Sequence, residues 1–202
     1  MIDISISKSV YMRKTDEFAS EMIPIRLIIS IAVISAIAVM LTIGYNNLNV
    51  VFAENNVENE CRSLESELYT MISSGVARDL DEIETSDGTK RIHTFSITDN
   101  IVYLSFGVDP DPENDGILKT GLTCNGSVIF YKVQGGSKHA MWLSEDNFRF
   151  REGRYVENKW IVNGDGQGFI IRNGGETSLV FELVKQDSEK LILIHCNDGI
   201  EP

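Results

Sequence analysis

The chain has 202 residues, of which 43% are apolar, and a net charge of −12. Residues 1–44 set Lys8, Arg13, Lys14 and Arg26 against Asp3, Asp16, Glu17 and Glu21, so the whole acidic excess lies after them. A domain that acidic repels phosphate backbones and anionic headgroups, which argues against nucleic-acid binding and against lying flat on an anionic membrane.

Residues 1–21 form a short polar head. It carries the basic pair Arg13-Lys14, the acidic pair Asp16-Glu17 and the small residues Ala19-Ser20. Pro24 then stands near the expected start of a helix, where its missing N–H costs little. Arg26 is placed to snorkel back toward the cytoplasmic interface.

Leu27 to Ile43 follows, seventeen residues without a charge. Its only polar members are Ser30, Ser35 and Thr42, whose hydroxyls a helix can return to its own carbonyls. With Ile23 and Ile25 the segment reaches the ~20 residues that cross a bilayer, so residues 22–45 are expected to be a transmembrane helix, with membrane contact through 23–44. Four basic residues precede it and none lies between Tyr45 and Cys61, so the positive-inside rule puts the N-terminus in the cytoplasm and the rest outside. The expected location is the cell membrane, in a single pass. A signal peptide has a shorter head and an apolar core of only ~7–15 residues. Its one cleavage-like triplet here, Val51-Phe52-Ala53, lies well beyond Ile43. A core helix of a soluble protein, in turn, does not need to be apolar on every face.

After Tyr45 the apolar period changes. Val57, Cys61, Leu64, Leu68, Met71 and Val76 recur at helical spacing, with Glu58, Glu60, Arg62, Glu65 and Glu67 between them. Residues 46–84 therefore read as an amphipathic helix continuing the first, with weak joints at Gly44–Asn47 and Asn55-Asn56. It ends either at Gly75 or after Leu80.

Residues 85–202 read as β. Arg91–Thr98 and Ile101–Val108 flank Asp99-Asn100, a hairpin signal. Ser127–Val133, Lys138–Leu143, Phe148–Glu152, Lys159–Val162, Gly168–Arg172, Ser178–Lys185 and Lys190–Cys196 are further strands, separated by Gly, Asn and Asp. Asn173-Gly174-Gly175 is expected to be the turn between Gly168–Arg172 and Ser178–Lys185, and Gln186-Asp187-Ser188 to pair the last two. The fold class is α+β: a long N-terminal helix, transmembrane then amphipathic, followed by an antiparallel all-β domain, either a meander or sandwich or a partial barrel.

Several clusters are candidates for chemistry. Asp111, Glu113, Asp115 and Gly116 sit at the spacing of the first half of a calcium loop, but Leu122 stands where the bidentate Glu is needed. The competing reading is a solvated acidic turn, and calcium is the one cofactor this spacing suggests. Cys124 and Cys196, both in β-like stretches of the exterior portion, are a candidate disulfide; alternatively all three cysteines, Cys61 included, are small buried hydrophobes. Asn125-Gly126-Ser127 is a glycosylation sequon. His93, His139 and His195 lack metal spacing, and no nucleophile elbow occurs, so no enzymatic activity is expected. Phe148-Arg149-Phe150-Arg151 puts aromatics on one face and arginines on the other, either as core and solvent faces or as a partner-binding edge.

The order of these parts resembles a type IV pilin-like protein, most of all the archaeal members. The run from Arg13 to Glu21, basic then acidic then small, is similar in kind to their leader. The resemblance implies cleavage by a prepilin peptidase near Ala19 or Ser20. It also implies that Glu21 takes the place of the acidic residue near the mature N-terminus, which pairs with a neighbouring subunit's amino group. The partners would be copies of the chain or other pilin-like subunits. The chain departs from the family pattern in lacking a glycine before the cut and in carrying Pro24 and Arg26. The alternative is an unprocessed single-pass protein whose β-domain binds a ligand or partner protein.

Overall fold

The computed structural model describes residues 7–82, 87–119, 122, 126–143, 148–157, 159–164 and 167–196, with side chains from residue 24 onward. The described residues open with one helix, α1 (Ser7–Ser74). The chain divides into two compact units, Met1–Asn49 and Val50–Pro202, and the division falls inside α1. Asn46-Asn47 and Asn55-Asn56 do not interrupt the helix, and Pro24 is an interior residue rather than an N-terminal one. There it removes one N–H from the helical ladder.

The second unit begins with the last part of α1. Ala53, Val57, Cys61, Leu64, Leu68 and Met71 fall three or four residues apart and are buried. That is the stripe the apolar spacing predicts, except that Val76 lies past the helix end and is exposed. The helix stops at Ser74, with the Gly75 N–H still closing onto the Met71 carbonyl at 2.8 Å.

Among the described residues ten strands follow: β1 (Arg78–Asp79), β2 (Lys90–Ile97), β3 (Ile101–Phe106), β4 (Val128–Val133), β5 (Lys138–Trp142), β6 (Phe148–Val156), β7 (Lys159–Val162), β8 (Phe169–Ile171), β9 (Gly175–Gln186) and β10 (Glu189–Cys196). One sheet has the order β1-β9-β10-β6-β7, with β2 also paired to β9. The other has the order β5-β4-β3-β8. Most pairs are antiparallel, as expected for this α+β chain, but β1–β9 and β6–β10 are parallel.

Two expected hairpins are not hairpins. β2 pairs with β9, and β3 pairs with β4 and β8, so Asp99-Asn100 carries the chain from one sheet to the other. A tight hairpin of that kind needs positive φ at both turn residues. Asp187 and Ser188, with φ of 48° and 70°, supply this between β9 and β10, whereas Asp99 and Asn100 do not adopt it. The segment around Asn173–Gly175 likewise links sheets, from β8 to β9.

The helix stripe and the inner faces of both sheets share one core. Phe106 is its hub, with ring centroids 5.8 Å from Phe95, 5.6 Å from Phe150 and 5.8 Å from Phe181. These tilted, edge-on arrangements are the ones that aromatic quadrupoles favour. Phe148 and Phe150 point into this core as well, so the alternation of β6 separates core from surface. On the outer side, Arg149 lies 3.6 Å from Glu189, and Arg151 donates to the Phe150 carbonyl.

Candidate functional site

Two features stand out as sites. The first is the apolar part of α1 in the first unit. Ile25, Leu27, Ile28, Ile29, Ile31, Val33, Ile34, Ile37, Val39, Met40, Leu41 and Ile43 are all more than half exposed. So many exposed large hydrophobes are not tolerated in water and mark a surface meant for another apolar phase. The helix is long and apolar enough to cross a bilayer. Its three polar residues are satisfied internally: Ser30 donates to the Arg26 carbonyl at 2.9 Å, Ser35 to Ile31 at 2.8 Å and Thr42 to Ala38 at 2.9 Å. In hydrocarbon an unpaired hydroxyl would be costly, and these bonds remove that cost. Ala19, Ser20 and Glu21 lie on the same helix, before its apolar part.

The second feature is the back face of the six-stranded sheet, on the side away from the main core. Along β9, Leu179, Phe181 and Leu183 face that core, while Val180, Glu182 and Val184 face the back and are buried too. Glu182 is only 1% exposed. It accepts a bidentate pair from Arg78, Nε to Oε1 at 2.7 Å and Nη2 to Oε2 at 3.0 Å, and Gly88 N–H adds a third donor at 3.3 Å. Arg78 Nη2 also donates to the Trp160 carbonyl at 2.8 Å. A buried charge needs such a full set of partners.

Trp160 lies flat on His195, with ring centroids 3.6 Å apart and an interplanar angle of 7°. Tyr155 meets its indole at 5.2 Å. His195 Nδ1–H donates to the Cys196 carbonyl at 3.2 Å, which leaves Nε2 as a buried acceptor with no partner. Burial is the main reason that His195 is harder to protonate than an ordinary histidine; the nearby Cys196 carbonyl and Glu182 only partly oppose it. The consequence for stability has a definite sign. The unfolded chain takes up a proton below about pH 6.5 while the folded chain does not yet, so stability present above that pH is lost as pH falls. In urea titrations between about pH 7.5 and 5, His195→Phe is expected to keep the stack and flatten that part of the slope.

The other candidates are placed as follows. Asp111, Glu113 and Asp115 do not converge. Asp111 is fully buried and accepts from Asp115 N–H at 2.9 Å, from Gly116 N–H at 3.2 Å and from Lys132 Nζ at 3.3 Å. Burial alone would raise its pKa, but Lys132 and those two N–H groups outweigh burial and hold it below the usual carboxylate range. Glu113 pairs with Lys119 at 2.7 Å, and Asp115 accepts from Ile117 N–H. Lysine and backbone donors thus tie these carboxylates into a hydrogen-bonded acidic turn. No group of three metal-ligating side chains forms among the described residues.

His93 lies between two glutamates of α1. Its Nδ1–H donates to Glu67 at 3.1 Å, and Nε2 is 3.5 Å from Glu60. The carboxylates address opposite ring nitrogens, so this is a strut between helix and sheet rather than a metal site. His139 Nε2–H donates to Glu54 at 3.1 Å and makes a second strut. Cys61 is buried, and burial above all pushes its thiol up to about 12, so it is inert. Cys196 ends β10; Cys124 and Asn125 lie outside the described residues, and with them the expected disulfide and glycan.

The fold and these sites together define an α+β chain with one bilayer-length apolar helix and a β-domain closed on that helix's last turns. No family model, no curated protein and no solved structure matches the chain.

Sequence reasoning missed the Arg78–Glu182 pair, whose members lie 104 residues apart. One signal was present. Glu182 is the only charge in the run Leu179–Val184, and a carboxylate inside an otherwise apolar strand needs a buried partner.

Proposed function

We propose that the protein is a non-enzymatic, membrane-anchored surface protein of pilin-like type. Its apolar helix holds it in the cell membrane with the N-terminus in the cytoplasm, and its β-domain works outside. The observation that carries this reading is the uniformly exposed apolar surface of α1 from Ile25 to Ile43, together with the internal hydrogen bonds of its hydroxyls. The flanking charges give the direction. The leader-like run from Arg13 to Glu21 supports processing before the apolar segment and self-association through the helix.

The N-terminal sequence of the protein extracted from its native membrane tests the pilin part. A start close to Glu21 is expected. A start at Met1 or Met12 rules out leader cleavage and leaves an unprocessed anchor, and a start at Glu54 would mean free secretion.

The second reading, a domain that binds a ligand or partner, is favoured by the charged and aromatic cluster behind the six-stranded sheet. The two readings are compatible, because an anchored domain can carry a ligand site.

A further inference from the structure

We draw no further inference here: the strongest candidate, the cavity of about 240 Å³ behind the six-stranded sheet, lined by Arg78, Glu182, Tyr155 and Trp160, belongs to the site already described, and with Arg78 paired to Glu182 and Lys90 to Asp87 nothing in the structure shows what it would hold.

Discussion

Replacing Arg78 by methionine is expected to destabilise the β-domain by about 3–5 kcal/mol, because it strands the Glu182 carboxylate behind the sheet with only Gly88 N–H left to it. The pair is held at 2.7 Å with both members nearly inaccessible, so solvent cannot replace the lost cation. The double variant Arg78→Met, Glu182→Leu is expected to recover most of the loss, since it removes the charge that was left unpaired. Urea unfolding of the parent, both single variants and the double variant gives the coupling directly. If Arg78→Met alone costs no more than a surface substitution, about 0.5 kcal/mol, then the pair is not buried in solution.

Phe106→Ala is the second large effect, also expected at about 3–5 kcal/mol. Its ring is fully buried and joins aromatic residues of the six-stranded sheet, Phe95, Phe150 and Phe181, to β3 of the four-stranded sheet. The loss combines the transfer of the ring with the cavity that remains, because neighbours anchored on two different sheets cannot close in together. Phe106→Leu is expected to cost much less, since it leaves most of the volume filled. Equal losses for the two variants would mean that the shape of the ring matters more than the volume it fills.

The parts of the fold readable from the sequence are those set by local periodicity. The stripe Val57, Cys61, Leu64, Leu68, Met71 is legible because a helix repeats its face every three or four residues. Lys159–Val162 and the β9–β10 turn are legible because turn residues and alternation are local. Strand partners are a different matter. Asp99-Asn100 lies between β2 and β3 and gives the expectation of a hairpin, yet β2 pairs with β9, about eighty residues away. Nothing local specifies a long-range or parallel partner such as β10 for β6. The same limit applies to the candidate sites. The acidic run at Asp111 has the spacing of half a calcium loop, while the lysines that pair with it, Lys132 and Lys119, are separate in sequence or lie just beyond it. The back-face cavity assembles residues from 78 to 182, and only the solitary charge of Glu182 within its apolar strand hinted at it.

The apolar helix remained legible throughout, since a run with no charge on any face needs no tertiary information to interpret. The most direct measurement of the account is therefore of sidedness. A single exposed cysteine, Ile117→Cys, is placed in a chain with Cys124 and Cys196 changed to serine, leaving only the inert Cys61. Intact cells are treated with a membrane-impermeant maleimide, and membranes are then washed with alkaline carbonate. Labelling without permeabilisation, with the labelled protein retained in the washed membrane, is the predicted result. Labelling only after permeabilisation, or release of the protein by the carbonate wash, would contradict an apolar helix that anchors the β-domain outside the cell.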